Sequence, residues 1–147
     1  MTVPDNFVLR VTSDRFEEFE HGLAALLHAC VLDGASVSFV LPFSLNESRA
    51  FWGEKVRPAV ESGYRVLLIA RHDGIVAGSI QLDCNTPPNQ PHRGEISKLV
   101  VHPDFRRRGI ARSLMIEIER YAVNLGRTLL TLDTASEGAE TLYESLG

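Results

Sequence analysis

Residues 99–111 read LVVHPDFRRRGIA, and this stretch decides the fold class. An apolar strand ends at Val101 and a helix starts near Ala111, so the residues between them form a strand-to-helix loop. Residues 102–112 carry four arginines against the single acid Asp104, a local charge of +3. Backbone N–H groups at a helix N-terminus bind anions, and arginines there oppose the helix dipole unless an anion is present. The stretch therefore predicts a phosphate-binding loop approached closely at Gly109, against the alternative of a solvated basic loop.

Hydrophobic periodicity on both sides of this loop predicts five strands and four helices. The dipeptide Asp73-Gly74 between two apolar runs predicts a tight antiparallel hairpin, and Pro58 is expected to kink or break the second helix. Residues 95–133 read as strand, helix and strand, a crossover unit whose two strands should be parallel. We expect strands at 7–12, 64–72, 75–84, 95–101 and 128–133, helices at 14–33, 44–63, 111–125 and 139–146, and a loop at 85–93.

Together these elements predict an α/β fold with a mixed, mostly antiparallel central sheet, a parallel strand pair and helices on both faces. Apolar residues at helical spacing should face the core. They are Phe16, Phe19, Leu23, Leu26, Leu27 and Cys30 on the first helix and Leu114, Ile118, Tyr121 and Leu125 on the third.

Composition and charge exclude several classes of protein. With 147 residues, 44% of them hydrophobic, the chain fits one domain. The net charge of −4 argues against general nucleic-acid binding, and the longest mostly apolar run, residues 23–32, is too short to span a bilayer. Two cysteines without a CxxC pair predict neither a disulfide framework nor a zinc site, and they favour a cytoplasmic location. The usual GxxxxGK and GxGxxG phosphate motifs do not occur in their required contexts.

The opening stretch resembles the acetyl-CoA motif of the GNAT superfamily of N-acetyltransferases, L-x-V-x-P-x-x-[QR]-x-x-G-x-[GA]. Arg106, Gly109 and Ala111 match its key positions. Ala139 and Leu142-Tyr143 resemble the family's A-x-x-L-Y segment, although Ser136 stands where the family often has Asn. Within the superfamily the chain is most similar to the tabtoxin-resistance acetyltransferases, through residues 21–24, 34–37, 95–99 and 130–134.

The resemblance implies a GNAT-like fold in which the fourth and fifth strands splay apart around acetyl-CoA, used as a cosubstrate without a metal. Family members continue with two more strands, so we expect residues 1–147 to be a single acetyltransferase domain truncated at its C-terminus. The open sheet edge then predicts a homodimer or a poorly behaved monomer. The resemblance places the cofactor's pantetheine arm on the backbone of Leu99, Val100 and Val101. It places the pyrophosphate on Arg106, Arg107, Arg108, Gly109, Ile110, Ala111 and Arg112.

The implied reaction is acetyl transfer to a primary amine of a small molecule by direct attack, with detoxification of a toxin or antibiotic as the implied role. An alkylamine must lose a proton before it attacks, and Glu95 is the best base, since alternation places it on one face with Ser97, Leu99 and Val101. Asp133 should hold the ammonium, and Tyr143 matches the family's acid for the thiolate. The alternatives are a solvated strand end for Glu95, a helix cap for Asp133 and a core tyrosine for Tyr143. For the whole chain, the alternative is a CoA-binding module without catalysis.

Overall fold

A computed structural model describes residues 7–32, 44–72, 74–84, 93–106, 109–127 and 129–132. Its strands are β1 (Phe7–Arg10), β2 (Arg65–His72), β3 (Ile75–Asp83), β4 (Arg93–Val101) and β5 (Leu129–Leu132). Its helices are α1 (Phe16–Leu32), α2 (Leu45–Phe51), α3 (Arg57–Glu61) and α4 (Ile110–Asn124). The predicted loop at 85–93 is too long by one residue, because Arg93 already pairs with Leu129 in the sheet. The predicted last helix at 139–146 lies outside the described residues.

The five strands form one sheet in the order β1-β2-β3-β4-β5. Neighbours are antiparallel from β1 to β4, whereas β5 runs parallel to β4, as the crossover unit predicted. Gly74 takes a φ of +78° at the β2–β3 turn, where His72 pairs with Ile75, so the predicted hairpin is confirmed. The mixed, mostly antiparallel sheet is therefore the observed one.

Helices cover both faces of the sheet, and each face has its own apolar core. The α1-side core joins α1 and the α2–α3 arm to one face, and the α4-side core joins α4 to the other. Every residue predicted to face inward on α1 is buried. On α4 the prediction is wrong for Leu125, which is 49% exposed, because the helix ends at Asn124 and the chain turns away at Gly126 with φ +74°.

The helical arm between α1 and β2 consists of α2, a π-helical turn and α3, which follow one another without a break. Ser44 caps α2 by accepting a hydrogen bond from the Glu47 N–H at 3.0 Å. A π-helical turn at Trp52–Val56 then leads into α3, and Pro58 lies in the first turn of α3. The helical conformation continues through Pro58, which has no backbone N–H to donate, and the π-turn lies directly before it. The predicted break therefore does not occur, and the helix changes type instead.

Candidate functional site

A β-bulge divides β4 into two halves. Gln81 pairs with Ser97 and Ser79 pairs with Val100, so β4 carries one residue more than β3 between these pairs. Lys98 has a φ of +54°, the only positive φ of a non-glycine among the described residues. An extra residue of this kind bends a strand and changes which way the following side chains point.

The bulge overturns the predicted face of β4. Ile96 belongs to the α4-side core, so Glu95 and Ser97 lie on the α1 side, where the strand is regular. Past the bulge, Leu99 and Val101 pack with the α4-side core and Val100 with the α1-side core. Glu95 therefore shares its face with Ser97 but not with Leu99 and Val101.

The second half of β4 extends past the last described pair with β5. Among the residues that the structure describes, β5 accompanies β4 only as far as the pair Ile96 and Leu132. The His102 N–H donates to the Ala77 carbonyl at 2.7 Å on the β3 side. Because backbone groups alternate along a strand, both backbone groups of Val101 point away from β3.

The three residues predicted to bind the pantetheine arm differ in backbone direction. Alternation from the His102 N–H turns the backbone groups of Val100 toward β3 and those of Val101 away from it, and Leu99 directly follows the bulge. The Val101 carbonyl accepts a hydrogen bond from the Cys30 thiol at 3.3 Å. This contact ties α1 to the second half of β4.

The loop after β4 leads into an anion cradle. The His102 Nδ1 accepts the Asp104 N–H at 3.1 Å, and the rings of His72 and His102 pack edge-on against Phe105. Gly109 then takes a φ of +76° and opens α4 without a side-chain cap. A Cβ at Gly109 would meet no described atom within 4 Å apart from its chain neighbours.

The remaining residues of the predicted cradle divide by burial. Arg106 and Arg112 are exposed, Ala111 is half-buried and the Ile110 side chain is buried in the α4-side core. Ile110 therefore offers only its backbone to a ligand. Arg107 and Arg108 lie outside the described residues. Uncapped N–H groups beside exposed guanidinium groups fit a pyrophosphate.

Glu95 lies at the start of the same strand with its side chain exposed. Its backbone partners are Asp83 on β3 and Thr131 on β5. Asp83 lies directly across from Glu95 on the same face and contacts Arg65, with Nη2 to Oδ2 at 2.9 Å. Sequence reasoning missed this second carboxylate, since nothing in the local pattern predicts which residue the register places beside Glu95. The candidates Asp133 and Tyr143, with Ser136, lie outside the described residues.

The helical arm contacts the β4 bulge from the α1 side of the sheet. The Lys98 ammonium lies 5.8 Å from the centroid of the Phe51 ring, at the junction of α2 with the π-turn. The next residue, Trp52, is buried in the α1-side core. The arm therefore borders the face of the sheet that carries Glu95.

A separate cavity of about 330 Å³ lies near the start of β2 and the end of α4, away from Gly109. It is lined by Ser62, Gly63, Tyr64, Cys84, Leu125 and Arg127. Burial raises the pKa of the Cys84 thiol, an effect that the neighbouring Arg127 partly opposes. A thiol kept protonated is a poor nucleophile, which argues against Cys84 in that role.

Two negative results apply to the described part of the chain. Its histidines, cysteines and acids form no group of three that could hold a metal ion. None of its helices has the length and apolar character needed to cross a membrane.

Comparisons with known proteins identify relatives over most of the chain. The sequence model of the Acetyltransferase (GNAT) family matches residues 38–147. An uncharacterized N-acetyltransferase from the hisH-hisA intergenic region of Azospirillum brasilense is 30% identical over 130 residues, which cover 84% of this chain and 74% of that protein.

Two solved structures share the fold. A GCN5-related N-acetyltransferase from Ralstonia eutropha JMP134 superposes with a TM-score of 0.67 at 20% identity, covering 97% of this chain and 91% of that one. The aminoglycoside acetyltransferase HMB0005, from an uncultured soil metagenomic sample, superposes with a TM-score of 0.70 at 22% identity, covering 100% and 91%.

Proposed function

The chain belongs to the acetyltransferase (GNAT) family and is an acyltransferase, and from this premise we propose that it moves an acetyl group from acetyl-CoA to a primary amine of a small molecule. The observation that carries the proposal is one strand, β4, with the exposed Glu95 near one end and the Gly109 cradle beyond the other. Between them, β4 extends past its last described pair with β5. Base, backbone groups and anion cradle thus follow one another along a single stretch of chain.

The family uses acetyl-CoA, which supplies an activated thioester when it is bound. In the proposed arrangement, the N–H groups from Gly109 to Ala111 bind the pyrophosphate, assisted by the exposed Arg106 and Arg112 and by Arg107 and Arg108. The Leu99 carbonyl and the backbone of Val101 pair with the pantetheine amides, as an added strand would. The positive φ of Gly109 at the start of α4 and the end of the described β4–β5 pairing at Ile96 and Leu132 support this assignment.

The proposed chemistry uses direct attack without an acyl-enzyme. Glu95, directly or through a water, accepts a proton from the substrate ammonium, and Asp133 holds the amine in place. The amine nitrogen forms a bond to the acetyl carbon as the carbon–sulfur bond breaks. Tyr143 donates a proton to the departing thiolate, since a phenol with a pKa of about 10 remains protonated at neutral pH. The second nitrogen proton then returns to the Tyr143 phenolate, so the amide and the CoA thiol leave neutral and Glu95 holds the proton released overall.

The proposed substrate is an amine-bearing toxin or antibiotic, and the proposed role is detoxification in the cytoplasm. Similarity to the tabtoxin-resistance acetyltransferases over residues 21–24, 34–37, 95–99 and 130–134 supports this class. An aminoglycoside acetyltransferase with the same fold also acts on amines, which is consistent with the proposal.

Calorimetric titration with CoA and a thiol-release assay over an amine panel test the proposal in two steps. Binding of CoA together with acetylation of at least one amine supports the full proposal. Binding without turnover on any amine favours the alternative, a CoA-binding module, for which Ser136 in place of the usual Asn is the supporting observation. Absence of CoA binding overturns the cradle assignment.

A further inference from the structure

The α1-side face of the sheet contains polar groups that lack partners, which is unusual for a buried surface. Among the described residues, four buried atoms on this face have no hydrogen-bond partner: Trp52 Nε1, Arg65 Nε, Ser79 Oγ and Gln81 Nε2. Ser79 and Gln81 are 0% exposed. Buried polar groups are almost always hydrogen-bonded in native proteins, so each exception calls for an explanation.

The orientation of the Gln81 amide is fixed by its neighbour. Arg65 donates from Nη1 to Gln81 Oε1 at 3.1 Å and from Nη2 to Asp83 at 2.9 Å. A guanidinium has only donors, so it selects the amide oxygen and turns the Nε2 arm away from itself. Gln81 therefore keeps two N–H donors without acceptors.

The sheet register places this amide beside the candidate base. Ser97 is the direct cross-strand partner of Gln81, and Glu95 is two residues before Ser97 on the same face. Diagonal neighbours in a sheet lie about 7–8 Å apart, within the span of one small molecule. Arg65 and Ser97, which are the hydrogen-bond and cross-strand neighbours of Gln81, are both partly exposed.

We propose that Gln81 is a specificity-determining residue for the acceptor, and that the acceptor carries a hydrogen-bond-accepting oxygen a few bonds from its amine. This inference rests on the proposed acetyltransferase function. With the ammonium at Glu95, the acceptor oxygen receives the Gln81 Nε2–H, and the adjacent Arg65 Nε–H is a second donor. Asp83 already compensates the charge of Arg65, so the acceptor needs no anionic group here and a neutral hydroxyl or carbonyl oxygen can accept these hydrogen bonds. Plain alkylamines leave these donors unpaired and are poorer substrates.

The test uses amino alcohols of increasing chain length, each paired with the alkylamine in which a methyl replaces the hydroxyl. We expect the wild-type kcat/KM to favour the amino alcohol by about tenfold at the best chain length, the effect of one good hydrogen bond. The variant Gln81→Glu keeps the oxygen that Arg65 contacts and replaces the donor arm with an acceptor. Gln81→Glu should abolish the preference for the amino alcohol. The new carboxylate also attracts the substrate ammonium, but both amines of a pair carry that ammonium, so the ratio of their kcat/KM values is not affected by the attraction.

The control is Ser48→Ala. Ser48 is also fully buried on the α1 side, but its hydroxyl donates to the Ala24 carbonyl at 2.6 Å. Its loss should lower the thermal midpoint and leave the substrate preference unchanged. A Gln81 variant that changes stability in the same way without changing the preference would show a merely structural glutamine and overturn the proposal.

A second readout needs no turnover. The amino alcohol should raise the thermal midpoint of the wild-type chain more than its paired alkylamine does, and Gln81→Glu should lose that difference. If no amine is acetylated but this binding preference is present, the proposed reaction fails and the role of Gln81 stands. If neither kcat/KM nor thermal stabilisation distinguishes the paired amines, the inference is wrong.

Discussion

Gly78 on β3 packs closely beneath α4, and Gly78→Ala tests that packing. An added Cβ would lie 2.8 Å from Ile110 Cγ2, 3.1 Å from Leu114 Cδ1 and 3.1 Å from the Val100 carbonyl oxygen. Two of these atoms belong to packed core side chains and the third to the backbone, so none moves without shifting α4 or β4.

The expected loss of stability follows from opposing effects. Overpacking of this kind costs about 1–3 kcal/mol, whereas replacing a strand glycine by alanine recovers roughly 0.5–1 kcal/mol of backbone entropy. The net destabilisation lies between about 0 and 2.5 kcal/mol, and its centre, a little above about 1 kcal/mol, lowers the thermal midpoint by roughly 3–5 °C for a domain of this size. Since Ile110 opens α4 beside Gly109, CoA affinity should fall as well.

Thermal unfolding followed by circular dichroism, and CoA titration, measure the two effects. The matched control is Gly53→Ala, where the added Cβ meets only the flexible end of Glu20 at 3.1 Å and the midpoint should hold or rise. Ile110→Ala should partly rescue Gly78→Ala, because it removes the closest atom. An unchanged or higher midpoint for Gly78→Ala would refute the close approach of sheet and helix.

Three further predictions concern the loop, the base and the buried thiol. Gly109→Val should weaken CoA binding at least tenfold, because a branched residue resists a φ of +76°. The control Gly126→Val imposes a similar strain at φ +74° and should leave CoA affinity unchanged. Equal losses of CoA affinity in the two variants would contradict the cradle. Glu95→Gln should lower turnover by a factor of about 10²–10⁴ and flatten the acidic limb of the pH–rate profile, while CoA affinity stays constant. A wild-type rate in this variant would show that Glu95 is not the base. Burial raises the pKa of Cys84, so the stabilisation from its neutral thiol is complete below about pH 8.5 and declines as the pH rises through the raised value. Denaturant titrations from pH 8 to 10 should therefore show a smaller loss of unfolding free energy for Cys84→Ala than for wild type, and parallel losses would count against a buried thiol.

The amino-acid sequence by itself determined the order of elements and the loop at the centre of the proposed site. Hydrophobic spacing, the Asp73-Gly74 turn and the strand–loop–helix around Gly109 are local signals, and they predicted the mixed sheet and the parallel pair of β4 and β5. Local periodicity records which residues are buried within one element, and this information is available before the chain folds.

Only the tertiary structure decided how the strands align across the sheet. The bulge at Lys98 reverses the faces of Leu99 and Val101, and the register brings Gln81 and Asp83 beside Glu95. Leu125 is exposed because the chain leaves the helix one residue earlier than its spacing predicted. These features depend on pairing between segments far apart in the chain. Shifting the register by one residue turns every side chain of a strand to the opposite face, and a periodic sequence pattern contains no record of that choice.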